Sequence, residues 1–452
     1  VHAGSWLKGD LHVHSTHSGD AAQIGDDIAG VIRAGESAGL DFMVISDHRT
    51  SACLTDPQFT GAQTRLVLIA GEEWGQPGHA GAVGLTRAPI YDTQDETQGP
   101  TVAVQKIQAT LDDVHSMGGI WVLNHAIDSS TPWYWPVDRF DAVEVWNQSW
   151  ALRNATDVTP SMLQAWASQH GLDQPGAPST PPEALAAIDS GAGGGQNWQR
   201  LKLYEAHLNA GRHIAAVGGG DSHYLVLPGQ PTTVVFASQP TRDAILEGMR
   251  LGRTMVMRAP DAPAVELSAD LDNQGTFAYM IGDSVPVGHT VTFKVHVRDD
   301  LGGKVQLVEN GQVVKEWPVT SNDFVATFTD VPAATSWYRV NVLEPLDLNL
   351  PQGSVLKALV LGTTSLPAWL QTVASSGVLG SFGSQVQAAL NSGAPALLWL
   401  VANASQTGTS VSPGSSRYPR FAFTPAVSRY LNVAVHDPDY AMGVVTSPIW
   451  AQ

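Results

Sequence analysis

The stretch GDLHVHSTHSGD, residues 9–20, decides how the rest of the chain reads. It reads as the end of a strand running into a turn. Side chains alternate along a strand, so His12 and His14 point to the same face. Two imidazoles on one face are a natural start for a metal site, because neutral imidazole and carboxylate both bind Zn, Mn or Fe. Asp20 follows after a short turn.

Working outward, the same form recurs. DFMVISDH (41–48) is an apolar run ending in Asp47 and His48. RLVLIAGEEW (65–74) ends in Glu72 and Glu73, and GEEWGQPGHAGAVGL (71–85) adds His79. GGIWVLNH (118–125) ends in His125. FDAVEVWN (140–147) ends in Glu144 and Asn147. HIAAVGGGDSH (213–223) supplies Asp221 and His223. Helical spacing separates these runs near 26–39, 101–117 (stopping at Gly118) and 198–210 (stopping at Gly211). Thr241 reads as the N-cap of a helix that closes at Gly252. Leu172–Gln196 is rich in Pro, Ala and Gly and reads as an excursion rather than a repeat unit. This βα rhythm over about 255 residues is the pattern of a parallel barrel or a doubly wound sheet. In a parallel barrel the strand ends converge on one mouth, where nine of these, His12, His14, Asp20, His48, Glu73, His79, His125, Asp221 and His223, would hold two or three divalent ions, against about three ligands for one catalytic zinc.

Any one buried histidine is more often a hydrogen-bonded core residue than a ligand. It is the set, in this order and each at a strand end, that favours metal. His115 and His207 read as helix residues, and His170 and His213 as loop or strand-start residues. His17 reads as a solvated turn residue, with substrate contact as the alternative. His289, His296 and His436 read as structural. Twelve of the fifteen histidines precede residue 260.

After Pro260 the texture changes. AVELSADL (264–271), HTVTFKVHVRD (289–299), KVQLVENGQVVKEWPV (304–319), FVATFTDV (324–331) and SWYRVNVLEP (336–345) alternate apolar and polar residues, with a hairpin signal at Glu309-Asn310-Gly311-Gln312. The expectation is an α/β chain in two parts: a barrel over 1–259, and an antiparallel β-sandwich-like part over 260–452 with an irregular insertion around 346–432 and a helix near 384–391. The last strand, AMGVVTSPIWA (441–451), is expected to complete the sheet begun near Val265.

Composition narrows the function. The net charge is −18 with 15% charged residues, which argues against nucleic acid as a partner. The lone Cys53 permits no internal disulfide and makes a cysteine-based zinc site improbable. No run of about 18 apolar residues could span a membrane; the longest, Ala394–Ala402, is too short. The chain begins at Val1 without Met, consistent with removal of a leader or tag. Sparse lysine with many Ser, Thr, Gln and Gly suits a periplasmic or secreted protein, with a cytoplasmic one as the alternative.

DLHVHS (10–15), SDH (46–48), GEEW with GHA (71–80), NHA (124–126) and GGDSHY (219–224) resemble the motifs of the PHP (polymerase and histidinol phosphatase) superfamily of metallohydrolases. The resemblance is nearest to its carbaryl-hydrolase-related CehA/McbA branch, which LEGMRLGRTMV (246–256) and VVTSPIW (444–450) also resemble. The motifs cover 9–258; the likeness beyond is weaker. The resemblance implies a distorted (β/α)7 barrel with a di- or trinuclear centre of Zn, Mn or Fe. His12, His14, Glu73 and Asp221 would hold one ion. Glu73, His79 and His125 would hold a second, with Glu73 bridging, and Asp20, His48 and His223 a third. Glu73 is preferred to Glu72 because the motif is Gly-x-Glu. Arg49 departs from the branch, where a smaller or amide residue is expected; it would bind an anion or form an ion pair.

The chemistry this implies is hydrolysis of a small-molecule ester by a metal-bridging hydroxide, first of phosphoesters, since three ions suit the three free oxygens of a phosphoryl group. Asp47 and His17 are candidates for proton transfer or ligand support. The alternative is a carbamate or carboxylic ester hydrolase, in which Trp133, Tyr134, Trp135, Trp146 and Trp150 could line a pocket for an aromatic leaving group, although packing between barrel and sandwich is the favoured reading for any one of them. A non-catalytic binding protein is the reading from another class, and the intact ligand set argues against it. Oligomeric state is not legible.

Overall fold

The computed structural model describes residues 3–21, 25–147, 157–223, 227–345 and 440–452. The expected insertion at 346–432 with its helix, Trp150 and His436 lie outside the described residues.

Nine strands carry the first part: β1 (Ser5–Asp10), β2 (Phe42–Ile45), β3 (Val67–Trp74), β4 (Ala80–Val83), β5 (Ile120–Leu123), β6 (Ala142–Asn147), β7 (Ala215–Gly219), β8 (Thr232–Ala237) and β9 (Thr254–Met257). They lie side by side in chain order from β1 to β7, while β8 and β9 continue from the other edge of β1. β1–β2–β3 and β5–β6–β7 are parallel. β4 runs antiparallel to both neighbours, so the sheet is mixed rather than parallel throughout. The reason is chain length. Only residues 75–79 join β3 to β4, and a parallel crossover needs about a dozen. Beyond the strands, β1 and β7 are linked by a parallel bridge between Val13 and Ser222. Thr233 Oγ1 of β8 also bonds both Gly218 N and Gly218 O of β7. Gly218 permits this approach, since a Cβ there would sit 2.6 Å from Val256 Cγ1.

The helices start and stop where the sequence signals stand. Asp27 caps Ile28–Ser37 through Gly30 N, and Thr241 caps Arg242–Arg250 through Ala244 N. Pro100–Ser116 and Gly195–Asn209 end just before Gly118 and Gly211, both in the left-handed region. The excursion at 172–196 contains a helix, Pro182–Ser190, whose Pro stands in the first turn.

The remaining strands are β10 (Ala264–Leu271), β11 (Tyr279–Met280), β12 (Ser284–Val285), β13 (Val291–Arg298), β14 (Lys304–Glu309), β15 (Gln312–Pro318), β16 (Asp323–Asp330), β17 (Ser336–Pro345), β18 (Tyr440–Thr446) and β19 (Ile449–Ala451). β11-β10-β13-β16 form a separate sheet, with β10, β13 and β16 antiparallel; the others join the first sheet through β18 on β9. Val291, Phe293, Val295 and Val297 of β13 share one apolar cluster with Val305, Leu307, Val340 and Val342. Asn310 and Gly311 have positive φ in the β14–β15 hairpin, as a two-residue turn requires. The closing strands correct one expectation. They pair with β9, β12 and β17, not with the sheet begun at Val265. Both edges of β10 are already taken by β11 and β13, whereas β9 offers a free edge.

The two parts are bound by buried charge. Arg339 of β17 pairs with Glu205 of helix Gly195–Asn209, and Arg258 pairs with Glu344. Trp337 Nε1 donates to Asn209 Oδ1 at 2.9 Å, and His213 stacks on Trp450. Removing one partner of such a pair costs about 3–5 kcal/mol. A fragment of residues 1–259 is therefore expected to be insoluble or to melt far below the full chain. A soluble fragment with unchanged melting by circular dichroism would refute this.

A second outcome concerns acid. His207, in the same helix, is buried against Phe140. Burial, and then the charge of Arg212, pushes its imidazole down to about 3. Below its ordinary value of 6.5 the unfolded chain takes up a proton there that the folded chain refuses. Stability is thus lost as pH falls from 6.5 toward 3. His207→Gln should give a shallower loss between pH 6.5 and 4 in urea titrations.

Candidate metal centre

The backbone after β1 stays extended although its ladder ends at Asp10. The Asp10 carboxylate accepts the N–H groups of His12 (3.0 Å), Gly220 (2.9 Å) and Gly229 (2.7 Å). Burial pushes that carboxyl up to about 6 against those donors. Val13 bridges to Ser222 and packs in the core, so alternation turns His12 and His14 the other way. Glu73 N donates to the carbonyls of Ser46 and Asp47, and Arg49 N donates to Glu73 O, which sets Glu73 beside His48.

Glu73 is fully buried at the middle. Its carboxylate oxygens lie 2.9 Å from His12 Nε2, 3.4 Å from His14 Nε2, 2.9 Å from His48 Nδ1, 3.2 Å from His79 Nδ1 and 2.9 Å from His125 Nε2. Asp221 Oδ1 lies 3.5 Å from His12 Nε2 and 3.2 Å from His14 Nε2. Asp20 Oδ2 lies 3.3 Å from His48 Nε2 and 3.1 Å from His223 Nε2. All nine residues singled out in the sequence come together.

Their donor atoms fall into three sets tight enough for an ion: His12, His14, Glu73 and Asp221; His48, Glu73 and His79; and His14, His48 and His223. The first set coincides with the first ion the resemblance implies. In the second, His48 stands beside Glu73 and His79, while His125 Nε2 touches Glu73 and lies 3.4 Å from His79 Nδ1. In the third, His14 joins His48 and His223, with Asp20 against the latter two.

The electrostatics ask for cations. Burial alone would raise the Glu73 carboxyl, but His12, His79 and His48 together hold it well below its usual range. Burial alone would lower His12 and His48; Glu73 and the carboxylates around them raise His12 well above normal and His48 to about 10. Burial and the charge of His223 push His14 down to about 3. His12 Nδ1 faces Glu144 Oε1 at 3.0 Å and His14 Nδ1 faces Ser18 Oγ at 2.8 Å. Both Nε2 atoms are buried and without a hydrogen-bond partner among the described residues, although carboxylate oxygens stand 2.9–3.5 Å away. Buried polar atoms are rarely left so, and divalent ions bound by imidazole and carboxylate fit this donor set.

Backbone strain gathers here too. His125, Asp221 and Arg49 have φ of 27°, 48° and 50°. Non-glycine residues hold such angles at a cost of about 1–3 kcal/mol, and they cluster at working sites.

The other three expected residues contribute no atom to these donor sets. Both oxygens of buried Asp47 are taken, by Ser15 N (2.6 Å), Ser15 Oγ (2.8 Å) and Ser18 Oγ (2.9 Å), so it fixes the turn that holds His14. His17 Nε2 bonds Asp56 Oδ2 at 2.8 Å on the rim. The exposed guanidinium of Arg49 makes no ion pair or hydrogen bond among the described residues. Glu72 points to the opposite face of β3, is buried, has no partner among the described residues, and is pushed by burial up to about 8. Trp133, Tyr134, Trp135 and Trp146 are all buried in the core. The ring contacts of Trp133, Tyr134 and Trp135 are with Trp74, Trp121, Trp166 and His170, all in the first part of the chain. Sequence reasoning left out Ser18, Asn124, whose Nδ2 donates to Glu73 Oε1 at 3.2 Å, and Glu144 as supports. The positions of Asn124 and Glu144 at the ends of apolar runs were the available signals.

No family model matches the sequence, and no curated protein matches it. Among solved structures, one similar to this chain is a two-domain protein from Bacteroides vulgatus containing a predicted PHP-like metal-dependent phosphoesterase. It is 14% identical and aligns over 75% of this chain and 92% of its own, with a TM-score of 0.34. PsfC from Pseudomonas syringae is 15% identical over 54% of this chain and 87% of its own, with a TM-score of 0.30. A CARDB domain from Pyrococcus furiosus covers 18% of this chain and 74% of its own at 23% identity, with a TM-score of 0.13. Likenesses this distant carry neither fold nor function across.

Glu73→Gln keeps the shape and removes the charge at the centre. Divalent metal content of the purified variant should fall by at least one equivalent, and any metal-dependent turnover by orders of magnitude, while the fold survives. Glu72→Gln, on the other face, should retain its metal. Elemental analysis of the two proteins decides between them.

Proposed function

We propose that this chain is a metal-dependent hydrolase of the PHP type, acting on phosphoester bonds of a small molecule. The observation that carries the proposal is the convergence of five imidazoles on one buried carboxylate, Glu73, with two buried imidazole nitrogens left facing carboxylates. In this reading the mixed sheet β1–β7 is a distorted barrel whose strand ends form the mouth. Residues 1–259 are the catalytic unit and 260–452 its sandwich-like support.

His12, His14, Glu73 and Asp221 would hold one ion. Glu73, His79 and His125, with His48 adjacent, would hold a second, and Asp20, His48 and His223 a third. Bound ions would supply an activated water and offset negative charge at the reacting centre. Glu73 would be shared between ion sites, and the chain keeps His14 oriented through Ser18 and Asp47. Arg49 supports the phosphoester reading. It follows His48 directly, is exposed, and finds no carboxylate among the described residues, as suits an anion-binding side chain. The carbamate alternative rests on the resemblance to the carbaryl-hydrolase-related branch, and burial of the four described aromatics adds no support to it.

The test is turnover of p-nitrophenyl phosphate, bis-p-nitrophenyl phosphate and 1-naphthyl methylcarbamate, with chelator and with added Mn, Zn or Fe. Phosphoester turnover that depends on metal is expected. Arg49→Ala should raise KM for the phosphomonoester roughly ten- to a hundredfold, the size of a lost charge-assisted contact, and leave metal content unchanged. Turnover of the carbamate alone, or turnover indifferent to chelator, would overturn the proposal.

A further inference from the structure

We propose that Glu144 is a positioning residue that aims His12 and His125 together and so couples two of the ion sites; this rests on the metal-centre reading above. Glu144 lies on β6, is buried, and contributes to none of the tight donor sets. Its two oxygens divide their work. Oε1 faces His12 Nδ1 at 3.0 Å. Oε2 accepts His125 N–H at 2.7 Å and Asn147 Nδ2 at 3.0 Å. With Nδ1 donating to Glu144, the lone pair of His12 is at Nε2, which faces Glu73 and Asp221.

The second contact is with backbone. His125 is held at φ 27°, an angle its own chain resists, and its N–H is anchored on Glu144 Oε2. That angle sets where the ring goes, and the ring's Nε2 meets Glu73 at 2.9 Å. One carboxylate thus orients a ligand that follows β1 through its ring, and a ligand that follows β5 through its backbone. Gly219 of β7 makes the arrangement possible. A Cβ there would lie 2.2 Å from Glu144 Oε1 and 2.4 Å from His12 Cβ, so any side chain would drive the pair apart.

The test uses full-length protein stripped of metal: wild type, Glu144→Gln, Glu144→Ala and Gly219→Ala. Gln retains one acceptor oxygen but sets an NH2 group against either His12 Nδ1–H or the two donors at Oε2, so it cannot serve both. Equilibrium dialysis against Zn, Mn and Co measures stoichiometry and affinity. Visible absorption of the cobalt form reports ligand geometry, and near-ultraviolet circular dichroism reports the fold. Glu144→Gln should bind metal roughly ten- to a hundredfold more weakly with a changed cobalt spectrum, and Glu144→Ala more weakly still. Gly219→Ala should show the same signature with every ligand and Glu144 itself intact, which keeps the idea open to refutation if a Glu144 variant does not fold. Wild-type affinity, stoichiometry and cobalt spectrum in folded variants would overturn the role of Glu144 alone. A wild-type protein that binds no divalent ion would overturn the metal centre and this inference with it.

Discussion

One carboxylate carries the constraint on which the rest depends. Glu73 is withdrawn from water and met by five imidazoles, which arrive from the segments after β1, β2 and β5 and before β4. A lone buried carboxylate would be expelled or protonated, and a lone buried imidazole would be neutral. Together they are tenable only if positive charge is shared among them. The directions of the shifts at Glu73, His12, His14 and His48 describe a cluster that allots a few protons among many claimants. Divalent ions resolve the same conflict with fixed geometry, because they need the very lone pairs that otherwise repel.

Such a cluster destabilises the fold around it unless its members are held from behind. The supports are short and local. Asp10 gathers three backbone N–H groups where β1 ends and β7 turns. Asp47 fixes Ser15 and Ser18, and Ser18 fixes His14. Behind Glu144 the chain of contacts continues through Asn147 N to Asn197 Oδ1 at 3.2 Å and on to the buried Arg200 at 2.6 Å. Both Asn197 and Arg200 stand on helix Gly195–Asn209, whose other end is gripped by Arg339 and Trp337 of β17. The C-terminal strands therefore bear on the centre through this helix, and through Ser447 Oγ, which accepts Ala216 N of β7 at 3.0 Å, without placing any described side chain in it.

Much of this was legible in the sequence, for a physical reason. Polar residues at the end of an apolar run are costly unless they meet partners, so His48, Glu73, His125 and Asp221 announce themselves. The helix limits were equally plain, because Asp27 and Thr241 supply capping oxygens and Gly118 and Gly211 accept positive φ. Three things were not legible. The reversed direction of β4 depends on a five-residue connection, whereas its apolar run reads the same either way. The placement of β18 and β19 depends on which sheet edge is vacant, a non-local fact that alternation cannot encode. The aromatic run at 133–135 follows a ligand motif and suggested a pocket, but periodicity says only that a ring is buried, not against what.

Glu144 marks where such reading stops. The same rule that picked out its neighbours placed it at a strand end, yet a carboxylate there can serve an ion or serve the residues that serve it. Spacing cannot separate the two, since both demand a buried oxygen at the mouth. Distance can. A carboxylate whose two oxygens are already filled by three N–H groups, as those of Glu144 are, has its strongest lone pairs committed to protein. Glu73 is the opposite case: its close neighbours are mostly imidazole nitrogens that would themselves be ligands. Two acids of one type, on β3 and β6, are thus assigned different roles by what the chain gives their oxygens to hold.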